Sequence, residues 1–75
     1  MGNNTLKIGK YRHYKGKEYR VIGTAKHSET LEDLVVYESL YDNQTSKLWV
    51  RPLMMFIETV EIGGKKIPRF EYIAE

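Results

Sequence analysis

The sequence predicts a mainly β fold: a single small barrel of about five short antiparallel strands, with at most one short helical or 3-10 turn. Three observations carry that prediction. Short runs alternate apolar or aromatic residues with polar ones, as from Tyr11 to Val21. Turn-forming residues recur at intervals of about ten residues, the spacing of small sandwiches and barrels. No stretch is long enough for a true helix, and a chain of only 75 residues hides the apolar face of a five-stranded sheet most simply by curling it shut.

The elements follow in order. Residues 1–8 are expected to form a flexible N-terminal tail, and residues 9–75 a single SH3-like barrel domain. "KYRHYKGKEYRV" reads as a hairpin in which Lys15-Gly16 makes the turn. His27 to Asp33 is a polar loop whose Ser28 and Thr30 can bond backbone N–H groups locally. "LVVYESLY", Leu34 to Tyr41, is apolar on both parities, which predicts a bent strand covering the core on one face and an outer groove on the other. Asp42 to Ser46 turns the chain into the short strand "KLWVRP". "PLMMF" fits one helical or 3-10 turn opened by proline. Thr59–Ile62, Gly63-Gly64 and Lys65–Ile67 give a second hairpin, and Pro68 marks "IPRFEYI" as an edge strand.

Composition narrows the classes. Apolar types make up 41% and charged types 29%, the balance of a folded globule rather than a disordered tail. The absence of cysteine excludes disulfide staples and zinc-thiolate sites, and makes a reducing cytoplasm the expected location. The longest apolar run, Leu53–Ile57, is too short to span a bilayer, so no membrane role is expected. The net charge of +2 is unevenly spread. Six bases (Lys7, Lys10, Arg12, Lys15, Lys17, Arg20) crowd the first hairpin, while four acids and no base lie between Leu31 and Ser46.

The motifs Tyr-x-His-Tyr-Lys-Gly at Tyr11–Gly16, Ala-x-His-Ser-Glu-Thr at Ala25–Thr30, Val-Val-Tyr at Val35–Tyr37 and Trp-Val-Arg-Pro at Trp49–Pro52 occur together. With them the chain resembles, from about Gly9 to Ile73, the bacterial family catalogued as domain of unknown function 1653. The resemblance implies a small, mostly stand-alone cytoplasmic protein with an SH3-like barrel. It implies no activity.

His27-Ser28-Glu29-Thr30 holds the residue types of a nucleophile, a base and an orienting acid. Neighbours in an extended segment point to opposite sides, and no glycine-rich elbow exposes the serine. A self-capped turn ranks first, a ligand-contacting loop second and catalysis third. His13, His27 and Glu29 form a weak metal signal, so neither a metal nor a cofactor is expected. The aromatics outnumber what so small a core can hold, so Tyr37, Trp49 and their neighbours are expected to wall a groove with Arg51 and His27–Thr30 at its rim. Arg51 is expected to pair with an acid such as Glu38 or Glu29, or to grip a phosphate or a peptide carboxylate.

The leading function is therefore a non-catalytic module binding a peptide or protein segment. The alternative is nucleic-acid binding through Lys10, Arg12, Lys15, Lys17 and Arg20. A small hydrolase using His27 and Ser28 comes third. A homodimer joined at an edge strand containing Leu34–Tyr41 or Ile67–Tyr72 is a further expectation.

Overall fold

The alternation of the first hairpin is realised in two paired strands, β1 (Gly9–His13) and β2 (Glu18–Lys26), joined by the Lys15-Gly16 turn. The structure, a computed structural model, describes residues 6–75. Met1–Thr5, most of the expected tail, lie outside the described residues. Leu6 and Lys7, within the expected tail, are already engaged: Leu6 packs against the core, and the Lys7 carbonyl accepts the Tyr11 hydroxyl proton at 2.7 Å.

The chain continues through β3 (Asp33–Ser39), β4 (Leu48–Pro52), the short helix α1 (Leu53–Ile57), β5 (Thr59–Ile62), β6 (Lys65–Pro68) and β7 (Phe70–Ala74). The fold is mainly β. Its principal sheet has five antiparallel strands in the order β4-β3-β2-β1-β7, and β5 and β6 form a separate hairpin. Gly63 and Gly64 turn that hairpin with φ of 57° and 83°, a conformation that side chains with a Cβ rarely adopt.

Side-chain contacts reveal the curl. In a flat sheet, β4 and β7 would lie about 19 Å apart, four strand spacings. Yet the Arg51 guanidinium on β4 sits 5.5 Å from the Phe70 ring on β7, and the Tyr37 ring on β3 is 5.8 Å from that same ring. The sheet is rolled around Phe70. Among the described residues, the edges β4 and β7 are not laddered to each other, so side chains hold the roll together.

The core is Tyr11, Val21, Val35, Tyr37, Leu53, Phe56 and Phe70. One strand alternation supplies Tyr11, another Val35 and Tyr37, and α1 inserts Leu53 and Phe56. The Phe56 ring stacks on Phe70 with centroids 4.1 Å apart and meets Tyr11 and Tyr37 edge-on. Gly9 lets β1 approach β7. A Cβ there would stand 2.5 Å from the Ala74 carbonyl oxygen.

β3 differs from its expected role. It is a central strand flanked by β2 and β4, so it offers no free edge for a homodimer; β7, which contains Phe70–Tyr72, is an edge. Val35, Tyr37 and Ser39 face inward, while Leu34, Val36 and Glu38 are half-buried on the other face. The bend lies instead in β2, where the register with β3 shifts between Val21 and Gly23 and leaves Ile22 exposed.

Candidate functional site

The His27 loop is a turn that satisfies itself. The backbone N–H groups of Glu29 and Thr30 donate to His27 Nδ1 at 3.0 and 3.3 Å. Glu32 N–H donates to Thr30 Oγ1, and Leu31 N–H to the His27 carbonyl. Leu31 adopts φ 63°, which the turn demands. An Nδ1 that accepts two N–H bonds leaves the imidazole proton on Nε2, so neither nitrogen is poised to take a proton from Ser28. The loop lies at the far end of β2 from His13. Nine residues of strand put the two histidines about 30 Å apart along the chain, which explains why they cannot share a metal. Among the described residues, no group of three or more His, Cys, Asp or Glu side chains is placed to hold a metal ion.

Of the expected groove residues, the sheet does bring Tyr37, Trp49 and Arg51 together. Tyr37 pairs with Trp49 and Val35 with Arg51 across β3 and β4, so all four share the inner face. Tyr37, however, is only 5% exposed and belongs to the core rather than to a groove wall. Trp49 is half-buried against that core, and its indole N–H is buried without a protein acceptor. Among the described residues, no hydrogen bond or ion pair joins the His27–Thr30 turn to this cluster.

Arg51 is the unusual member. It is half-buried, its Nε donates to the Tyr37 hydroxyl at 3.4 Å, and its guanidinium lies over the Phe70 ring. Among the described residues, no carboxylate stands within ion-pairing distance of it, so the expected pairing with Glu38 or Glu29 does not form. The comparable charge on Arg69 is spent on Glu58.

Around Arg51 runs a connected set of polar aromatics. Tyr19 lies edge-on to both Tyr37 and Tyr41, and its hydroxyl sits 2.9 Å from that of Tyr41. Burial and the bond to Tyr41 hold the Tyr19 phenol well above its ordinary range. The Lys17 ammonium lies 4.5 Å from the centre of the Tyr41 ring. On the other side, His13 is edge-on to Phe70 and tilted against Tyr14, and its Nδ1 accepts the Lys15 N–H at 3.1 Å. Burial first, then the charges of Arg51, Arg69 and Lys15, lower the pKa of His13 below the usual imidazole value. Next to His13 opens a hollow of about 300 Å³ lined by Arg12, His13, Tyr14, Ile67, Pro68 and Glu71. The residues from β6 and β7 were invisible to sequence reasoning as part of a site, because only the long-range pairing of β1 with β7 brings them there.

The basic residues of the first hairpin divide by face. Lys10 and Arg12 point outward with Glu18 and reach its carboxylate at 3.9 and 3.3 Å. Arg20 is flanked in register by Lys10 and Glu38, and Arg12 by Glu71. Lys15 and Lys17 project from the turn without an acid partner among the described residues.

No helix among the described residues is long and apolar enough to cross a membrane. No curated protein matches the chain. The family described as "Protein of unknown function (DUF1653)" matches residues 9–72. The crystal structure of a protein of that family from Bordetella bronchiseptica is similar over 92% of this chain and 88% of its own, at 40% identity and a TM-score of 0.87. With both the sequence motifs and the rolled sheet in agreement, this chain belongs to the DUF1653 family of proteins of unknown function.

Proposed function

We propose that the protein is a non-catalytic binding module, working in a reducing cytoplasm, that takes a peptide or protein segment on the face running from the Tyr14–Pro68 hollow across His13 to Arg51. The observation that carries this reading is Arg51 itself: a half-buried guanidinium resting on the Phe70 ring and bonded to the Tyr37 hydroxyl, with no acid partner among the described residues. Partial burial of a charge costs free energy unless a counter-charge compensates it, so such an arginine is better explained by an external partner than by the fold. The hollow supplies a mixed complement. Tyr14, Ile67 and Pro68 give it apolar walls, Arg12, His13 and Glu71 give it polar ones, and its size suits one or two side chains of an extended segment.

The nucleic-acid reading is weaker, because Lys10 and Arg12 already share Glu18 and would have to exchange that carboxylate for phosphates. The hydrolase reading is weaker still, because the His27 ring is locked as an acceptor of its own turn.

The test is amide chemical-shift mapping with pooled synthetic peptides of varied charge. Saturable shifts confined to residues 13–19, 37, 49–51 and 67–71 are the expected result. Shifts confined to the His27 turn, or none with any pool, would overturn the reading.

A further inference from the structure

We infer that the Arg51 cluster is an oxyanion receptor: it binds a carboxylate or phosphoryl group carried by the bound segment. This rests on the binding-module reading and adds the chemistry of the recognised group. Among the described residues Arg51 bonds through Nε alone, to Tyr37, so both terminal nitrogens of its fork remain available. Tyr37 accepts that bond through its oxygen and keeps its own O–H proton to donate. Between Tyr19 and Tyr41 one hydroxyl donates to the other, and Asn43 Nδ2 also donates to Tyr41 at 3.4 Å, so one phenolic proton of the pair remains unspent. His13 accepts at Nδ1 from its own turn and therefore presents an N–H at Nε2.

The cluster is thus rich in donors and carries positive charge, and among the described residues no carboxylate pairs with Arg51, Glu71 lying at the adjoining hollow. Its best complement offers several acceptor lone pairs and a negative charge, which describes an oxyanion; a cationic amine is repelled, and a neutral amide or sugar hydroxyl leaves the charge uncompensated. The fork of Arg51 meets two oxygens of such a group in one plane, and the phenols can cap a third direction. Lys15 and Lys17, with no acid partner among the described residues, add attraction at longer range from the adjoining turn.

The intact protein is titrated with inorganic phosphate and, separately, with acetate at constant ionic strength, following the Arg51 Nε–H and backbone amide resonances. Saturable shifts at residues 13, 19, 37, 41 and 51 are expected, and the tighter of the two anions identifies the oxyanion. Arg51→Ala should weaken binding by about tenfold or more, as removal of a charged donor does. Tyr37→Phe, which keeps the ring in the core, should weaken it by about two- to tenfold. Linear, unsaturable shifts with both anions, or equal affinity in Arg51→Ala, overturn the inference.

The arms with peptides separate the two conclusions. A neutral peptide that moves Tyr14 and Ile67 while neither anion moves Arg51 leaves the binding module standing and removes the oxyanion receptor. Saturation by phosphate with no peptide response does the reverse. A single-stranded oligonucleotide that shifts Lys10, Arg12 and Arg20 as strongly as Arg51 replaces both with an extended phosphate track.

Discussion

Phe56→Ala tests whether α1 is a plug that closes the rolled sheet. Phe56 is 1% exposed, stacked on Phe70 and edge-on to two tyrosines. Truncating a fully buried phenylalanine costs about 3–5 kcal/mol, from lost burial and from the cavity left behind. At the usual stability per residue, a chain of this length has about 4–11 kcal/mol in total. The variant should therefore lose about a quarter or more of its stability, and its Tm should fall by about 12–40 °C. Urea denaturation followed by far-ultraviolet circular dichroism and by the fluorescence of Trp49 measures the difference. Met54→Ala is the control, because Met54 lies on the same helix but is 73% exposed, and its change should stay within about 0.5 kcal/mol. A loss below about 1 kcal/mol for Phe56→Ala, with the denaturant slope unchanged, would refute the idea that this ring completes the core.

Further outcomes follow from other parts of the fold. His27→Ala should destabilise by about 1 kcal/mol through the lost acceptor of two N–H groups, and His27→Asn should recover most of it, since an asparagine side chain can accept N–H bonds within its own turn; equal unfolding midpoints for all three proteins would contradict the turn geometry. Gly9→Ala should destabilise by more than about 1 kcal/mol, because its Cβ would collide with the Ala74 carbonyl and neither backbone can easily retreat, and hydrogen exchange should speed up first in β7. Below neutral pH the lowered pKa of His13 means that the unfolded chain takes up its proton first, so stability should decline as pH falls from the ordinary imidazole value of 6.5 through the lowered folded value, and then level off with respect to this group. His13→Gln should flatten that decline. At alkaline pH, Tyr11 and Tyr19 favour the neutral phenol when folded, so stability should hold below pH 10 and be lost as pH rises through their raised values. Tyrosinate absorbance in the native protein should then show two late-titrating phenols.

Most of the strands were legible because their signals are local. Lys15-Gly16, Gly63-Gly64 and Pro52 act on their immediate neighbours, and the turns and α1 fall where those residues require. Pairing between distant segments was not legible. Nothing near Tyr11 announces that Tyr72 will lie beside it, and the hollow at Tyr14 and Pro68 depends on that pairing. The burial of the Tyr37 ring was hidden for a related reason. Its parity with Val35 was plain, but which parity faces inward is decided by β2 and β4 on either side. Arg51 could be singled out as an awkward residue on a strand, while the absence of its acid emerged only from the packing.

The stacked pair at the centre of the molecule joins a ring from α1 to one from β7, and Tyr11 on β1 leans against the first of them. Any stretch of this chain that stops short of Phe70 therefore lacks the partner around which everything else is wound. During synthesis the nascent segment would be left with its tyrosines and valines uncovered until that phenylalanine emerged, so assembly is expected to be all-or-none and late, with little value in partial products.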